Sequence, residues 1–298
     1  MTKSKGPKKA EPRPPFPKQH QEKPGLESKL EPRPKFHAPD YRPSGKLENR
    51  VALITGGDSG IGRAVAVLYA REGADVAITC LAQEHDDAME TCRNVEKEGR
   101  RCLVIEGDLA LNEFCRETVE RTVRELGKID VLVSNAAFQN RREKPEEVSD
   151  EQWQRTFRVN IDAYFHLVKA ALPHLREGAA IIATSSINGI EGNAALLDYS
   201  ATKGAINAFT KSLAQSLVDR GIRVNAIAPG PVWTPLNPSD QGASPEKVSE
   251  FGKNTPYERP AQPEEIAPAY VFFASSADSG YITGEVLTEL GGRVTAAA

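Results

Sequence analysis

From Leu47 onward, two hydrophobic patterns alternate along the chain. Val51-Ala-Leu-Ile-Thr55 is a short, nearly continuous apolar run, as expected of a strand buried on both faces. From Ile61 to about Glu72 the apolar residues recur at helical spacing, and Gly73 closes that helix. Val76–Cys80 reads as the next strand. The same alternation predicts strands over Cys102–Glu106, Asp130–Ser134, Ala180–Ser185, Arg223–Ala228 and Glu285–Glu289. Helices are expected over about Gln83–Gly99, Leu111–Gly127, Ser149–Leu172, Tyr199–Arg220 and Pro263–Ser275. Seven strands alternating with helices imply an α/β fold, a doubly wound seven-stranded parallel sheet. No second linker interrupts residues 47–298, which read as one domain, and there are no internal repeats.

The residues before this body are different. Residues 1–46 hold ten of the 21 prolines and carry a net charge of +7, although the whole chain stands at -3. Rings that block helix and few apolar residues predict an extended arm, disordered in its first part, from Met1 to about Pro15. From Phe16 on, Leu26, Leu30, Phe36 and Tyr41 restore apolar surface, so the later half is expected to pack on the body or on a neighbouring subunit. A basic arm also raises nucleic-acid binding. No nucleic-acid fold signature accompanies it and the body is acidic, so no nucleic-acid partner is expected. Cys80, Cys92, Cys102 and Cys115 are too few and too scattered for a disulfide scaffold, and none forms a C-x-x-C pair for a metal. No apolar run reaches the roughly 18 residues of a membrane helix, and the lysine-rich start lacks the apolar stretch of a secretory signal. A cytoplasmic protein with no membrane partner is the expectation.

Between the first strand and the first helix lies Thr55-Gly56-Gly57-Asp58-Ser59-Gly60-Ile61-Gly62. A strand, a glycine-rich turn and a helix start bring backbone N–H groups and a helix N-terminus to one point, which suits a pyrophosphate. Gly56 permits the tight turn, Gly60 lets backbone approach a ligand, and Gly62 allows close helix packing. Asp58, Ser59 and Ile61 complete this cofactor-binding turn of a Rossmann-type domain. Further along, Tyr199 and Lys203 stand four residues apart at the start of a helix and share a face. An ammonium near a phenol stabilises the phenolate, and such a tyrosine can exchange a proton with a carbonyl or alcohol oxygen. Ser186 closes the fifth strand at the sheet edge where ligands bind, with Ser185 as the local competitor. A Ser-His-Asp hydrolase is disfavoured: there is no G-x-S-x-G, and His85, His166 and His174 sit in helical stretches.

These residues resemble the classical short-chain dehydrogenase/reductase family over about residues 47–298. The matching pieces are Thr55–Gly62, Asp108-Leu109, Ser134-Asn135-Ala136-Ala137, Asn160, Ser186, Tyr199-x-x-x-Lys203, Pro229-Gly230 and Thr234. The thirteen-residue step from Ser186 to Tyr199 is the usual family step and selects Ser186 over Ser185. The arm, with Pro17-Lys-Gln-His-Gln, Lys23-Pro-Gly25, Tyr41 and Gly45-Lys-Leu47, resembles the branch of glucose and ribitol dehydrogenase homologues, several of them called general stress proteins.

The resemblance implies an NAD(P)-dependent oxidoreductase moving a hydride between nicotinamide and an aldehyde, ketone, sugar or polyol. Tyr199 is then the general acid/base, Lys203 lowers its pKa and holds the nicotinamide ribose, and Ser186 orients the substrate oxygen. Asn160 holds a helix kink and a water of the proton relay. Asp108 and Leu109 bracket adenine, Asn135 and Ala136 follow the adenosine ribose, and Pro229, Gly230, Val232 and Thr234 line the nicotinamide. It also implies a homo-oligomer, a tetramer, with Tyr281–Gly284 at a subunit contact. A cofactor-binding stress sensor or scaffold acting through the arm is the alternative.

Two departures stand out. Ala137 replaces the usual glycine, adding a methyl near the cofactor. The end of the second strand holds Cys80 and Leu81 in place of the acid usual in NAD-specific members, and no base stands there either. With no carboxylate to repel a 2′-phosphate, and with Arg63 and the arm lysines as candidate partners for it, the reading leans to NADP(H). Trp233–Glu258 is expected to form a mobile lid over the substrate, with Asn188–Leu197 as the opposite wall.

Overall fold

The computed structural model describes residues 11–295. Seven strands, β1 (Val51–Thr55), β2 (Asp75–Cys80), β3 (Cys102–Glu106), β4 (Val131–Ser134), β5 (Ala180–Thr184), β6 (Arg223–Pro229) and β7 (Val286–Glu289), form one sheet. All pairings are parallel, in the order β3-β2-β1-β4-β5-β6-β7. The connecting helices are α1 (Gly60–Arg71), α2 (His85–Lys97), α3 (Asn112–Leu126), α4 (Asp150–Phe157) and α5 (Ala163–Ala171). After them come α6 (Asn188–Glu191), α7 (Leu197–Leu217), α8 (Pro245–Ser249), α9 (Pro263–Ala274) and α10 (Ser276–Ser279).

The continuous apolar run of β1 follows from this layering. Ala52 and Ile54 face a core built with α1, α2 and α9, while Val51 and Leu53 face a second core built with α3, α5 and α7. Every β1 side chain is therefore buried. Strand order reverses between β1 and β4, so the carboxyl ends of these strands open the crevice where such sheets bind ligands.

The structure departs from the pattern-based expectation at three places. The helix expected over Ser149–Leu172 is interrupted by a π-helical turn, Arg158–Asp162, between α4 and α5. Asn160 sits at its centre, its carboxamide bound to both backbone groups of Phe138 and to Thr202. This tertiary tie accounts for the extra residue in the turn. Strand β5 stops at Thr184, which leaves both Ser185 and Ser186 in the following loop. Cys92 and Cys102 form a disulfide between α2 and β3, a single local closure rather than a scaffold.

The arm lies on the body. Phe16, Leu30, Trp233, Ala243 and Val248 form a third apolar cluster, joined by Phe251, made only of arm and β6–α9 loop residues. Further along, Tyr41 donates to Glu72, and the Ser44 and Lys46 amides donate to the same carboxylate. The expected disorder at the start of the arm lies, up to residue 10, outside the described residues; Glu11 and Arg13 reach Lys35 and Glu258. No described helix is long and apolar enough to cross a membrane.

Candidate active site

A cavity of about 690 Å³ opens at the carboxyl ends of the strands. Of the residues singled out from the sequence, Gly56, Asp58, Ser59, Gly60, Ile61, Asp108, Leu109, Asn135, Ala136, Ser186, Tyr199, Lys203, Pro229, Gly230, Val232 and Thr234 all line it. Gly62 and Asn160 do not.

The glycine turn is built as tightly as its composition allows. Gly60 has φ +51, and a Cβ there would stand 2.9 Å from the Thr234 methyl. A Cβ on Gly62 would come within 2.0 Å of the Gly56 carbonyl oxygen, so this glycine allows the turn to close on itself rather than the helix to meet the strand. The N–H groups of Ile61 and Gly62 find no acceptor among the described residues. A helix N-terminus with open donors at Ile61 and Gly62 fits a phosphate. Asn135 braces the turn from β4. Its side-chain amide donates to the Thr55 and Gly56 carbonyls at 3.0 and 3.2 Å, and its oxygen accepts from Thr184 at 3.1 Å.

Arg63 does not face the cavity. Its guanidinium is fully buried behind the turn, donating to the Asp58 and Asp87 carbonyls and pairing with Glu27 of the arm at 2.8 Å. It is therefore not a partner for a coenzyme 2′-phosphate. The other Glu27 oxygen accepts from the Gly60 amide at 2.6 Å. Glu27 carried no sequence signal, because its partners lie more than thirty residues away in the glycine turn and α1.

An acid also reaches the end of β2, which the sequence reading left without one. A 3₁₀ turn, Ala82–Glu84, folds the chain back so that the Glu84 carboxyl accepts from the Leu81 amide at 2.8 Å and lines the cavity. Burial pushes Glu84 up to about 8, and neighbouring Asp58 pushes it the same way. Burial also raises Asp58. At neutral pH Glu84 therefore favours the neutral form, whereas Asp58, raised only to about 6, stays mostly ionised. At the end of β3, Asp108 accepts from Arg155 at 2.6 Å and from the Ala110 amide at 2.9 Å.

The other end of the cavity holds the reactive groups. Tyr199 and Lys203 project from the first turns of α7, and Ser186 comes from the loop after β5. All three are buried, at 7%, 1% and 7% exposure, so water has little access. Lys203 Nζ donates to the Thr184 carbonyl at 2.6 Å and lies 5.3 Å from the centre of the Tyr199 ring. Burial lowers Lys203 to about 7 and raises Tyr199 to about 12. The groups that pull Tyr199 back are the Ser186 hydroxyl and the Arg141 charge, rather than Lys203 as the spacing suggested. Ser185 turns the other way, donating to Asn207 at 2.5 Å and to the Lys203 carbonyl at 3.2 Å on α7. Asn160 stands behind the wall, its carboxamide bound to Phe138 and Thr202.

Around the reactive groups the walls mix polar and apolar side chains. Asn188, Asn193 and Leu196 come from one side, and Asn237 and Phe251 from the β6–α9 loop. That loop is anchored. Asp240 is fully buried and accepts from Gln139 at 3.1 Å and from the Arg141 amide at 2.8 Å, with the Arg141 guanidinium at 3.2 Å. Trp233 donates its indole N–H to the Pro32 carbonyl of the arm at 2.7 Å.

A family model described as enoyl-(acyl carrier protein) reductase matches residues 56–293. General stress protein 39 of Bacillus subtilis (strain 168) is 53% identical over 269 residues, which is 90% of this chain and 93% of that one. The NADPH-dependent aldehyde reductase 1, chloroplastic, of Arabidopsis thaliana is 48% identical, covering 93% of this chain and 97% of its own. Glucose and ribitol dehydrogenase of Daucus carota is also 48% identical, over 94% and 97% of the two chains. Among solved structures, a short chain dehydrogenase from Burkholderia cenocepacia J2315 in complex with NADP superposes with a TM-score of 0.76 at 31% identity, over 83% of this chain and 98% of that one. With these matches across the body and most of the arm, the chain belongs to the short-chain dehydrogenase/reductase family, in the branch of the glucose and ribitol dehydrogenases and general stress protein 39.

Proposed function

We propose that this chain is an NAD(P)(H)-dependent oxidoreductase that reduces small polar carbonyl compounds, aldehydes, ketones or sugars, and oxidises the matching alcohols. The observation that carries this reading is the convergence of Ser186, Tyr199 and Lys203 at one end of a cavity whose other part is the glycine turn. The bound coenzyme supplies the hydride chemistry. The amides of Ile61 and Gly62 hold its pyrophosphate, Asp108 and Leu109 flank adenine, and Asn135 and Ala136 border the adenosine. Pro229, Gly230, Val232 and Thr234 line the nicotinamide side. Tyr199 donates a proton to the carbonyl oxygen, and Ser186 hydrogen-bonds the same atom. A phenol raised to about 12 stays protonated at neutral pH, the form that carbonyl reduction needs. Asn160 acts by holding the π turn against α7.

The lean to NADP(H) is supported by the neutral Glu84, by the NADPH-dependent Arabidopsis relative and by the NADP in the Burkholderia structure. A homotetramer in the cytoplasm is part of the proposal. Trp153, Phe165, Phe272 and Tyr281 are large apolar side chains exposed in the single chain, and light scattering that returned a monomer would rule assembly out.

The experiment follows NADPH and NADH oxidation with a panel of aldehydes, ketones and sugars. Turnover establishes the reductase. Coenzyme binding without turnover on any of them points to a sensor instead, and no binding refutes the assignment of the glycine turn.

A further inference from the structure

We propose that the arm is a wall of the coenzyme site and that Lys23 contributes its ammonium to the coenzyme's pyrophosphate; this rests on the coenzyme reading above. The arm crosses the mouth of the cavity between two fixed points. On one side the Gln21 amide donates to the Pro238 carbonyl at 2.9 Å, and Gly25 abuts Pro235 and Ser239 so closely that a Cβ would stand 2.6 Å from the Pro235 oxygen. On the other side Glu27 accepts from the Gly60 amide at the start of α1. Lys23, Pro24 and Gly25, between these points, line the same cavity as Gly60 and Thr234. Those two residues touch where the glycine turn meets the loop after β6.

Charge then singles out Lys23. Five cationic side chains line the cavity. Arg155 is paired with Asp108, Arg141 with Asp240 and Arg293 with Glu191. Lys203 is bound to Thr184 beneath Tyr199. Lys23 donates to the Gln139 carbonyl at 2.7 Å and lies 4.7 Å from the Phe138 ring centre, but no carboxylate stands within salt-bridge distance of it among the described residues. The acid whose attraction it feels, Asp240, is already bound by Gln139 and Arg141. An ammonium largely removed from water without a counter-ion calls for an anion in the same cavity. The glycine turn brings no cation of its own, since Arg63 is consumed behind it, and Glu27 already occupies the Gly60 amide. The phosphoryl oxygens of a dinucleotide are the anion that must lie between the turn and Thr234. The coenzyme is therefore bound under the arm, and the arm's cation completes the phosphate site that the turn begins.

The test is titration of the full chain with NADPH and NADH by nicotinamide fluorescence, in the wild type, Lys23→Met and Lys23→Arg. Lys23→Met is expected to weaken both coenzymes by the same factor, about tenfold, the size of one lost charge-assisted hydrogen bond. Lys23→Arg is expected to keep most of the affinity. ADP should lose the same factor as a competitor in Lys23→Met, while adenosine, which lacks phosphate, should lose nothing. Equal affinities in wild type and Lys23→Met overturn the proposal. So does a loss confined to NADPH, which puts the ammonium at the 2′-phosphate. A higher KM for the carbonyl substrate with unchanged coenzyme affinity puts it at the substrate and also overturns it. An equal loss for adenosine means that the arm has merely shifted. A wild type that binds neither coenzyme overturns the functional reading and this proposal together.

Discussion

Glu27 and Arg63 form an ion pair at 2.8 Å with both side chains wholly buried, one from the arm and one from α1. The pair joins a segment of irregular backbone to the helix that begins at the glycine turn. Arg63 also reaches Glu90 at 3.2 Å and Asp87 at 3.8 Å, so removing Glu27 leaves the guanidinium with partners but strips the buried Gly60 amide of its acceptor. Glu27→Ala is expected to destabilise the protein by about 1–3 kcal/mol, read from urea unfolding with an unchanged slope. Glu27→Gln keeps an acceptor for the Gly60 amide and should cost less. A loss within about 0.5 kcal/mol for Glu27→Ala would show that the arm is not integral to the fold.

Tyr199 is the proton donor in the proposed reaction, and its hydroxyl is the only atom that Tyr199→Phe removes. The variant should lose roughly 10²–10⁴-fold in kcat/KM for carbonyl reduction, while NADPH affinity stays close to that of the wild type. Retained turnover would move the acid role to another group at that end of the cavity.

Much of this arrangement was legible in the sequence because its cause is local. β1 shows itself by an unbroken apolar run since both its faces are covered. The glycine turn and the Tyr199–Lys203 pair show themselves by spacing, which a turn or a helix converts directly into proximity. The π turn at Asn160 kept ordinary helical periodicity on either side, and its cause is a bond to Phe138, twenty-two residues away. Glu84 escaped notice because a 3₁₀ turn, not the strand, returns it to the cavity beside the end of β2. The buried partnerships of Glu27, Arg63 and Asp240 join segments whose meeting depends on tertiary packing, and no periodicity encodes them. Arg63 shows the converse error: its place just after the glycine turn made it a candidate partner for a 2′-phosphate, but its side chain is buried within the protein.

Glu84 makes coenzyme choice depend on pH. Its carboxyl is raised to about 8, so it is mostly neutral below that value and carries a negative charge above it. A neutral carboxyl tolerates a 2′-phosphate and can donate to it, whereas a carboxylate repels it. NADPH affinity relative to NADH should therefore fall as pH rises from about 7 to about 9. In Glu84→Gln the ratio should stay flat over that range. A wild-type ratio independent of pH would mean that the carboxyl does not face the phosphate.

Phe16 and Trp233 have ring centres 4.2 Å apart and join the arm to the β6–α9 loop. The surrounding cluster contains no residue of the sheet, so it stabilises this junction rather than the core. The Phe16 amide donates to the Ser249 carbonyl at 2.8 Å, which ties the same two segments through backbone. Phe16→Ala removes a buried ring, a change that costs about 3–5 kcal/mol where it breaks a packed core. Here the loss should fall on local opening of the junction. Amide exchange at Phe16, Gln21 and Trp233 should quicken by orders of magnitude while β1 and β5 keep their protection. Because Asn237 and Phe251 of the same loop line the substrate end, KM for the carbonyl should rise several-fold more than kcat falls. Faster exchange spread evenly over the sheet would show instead that the arm and the core unfold as one unit, and unchanged exchange would show that the loop holds its place without the arm.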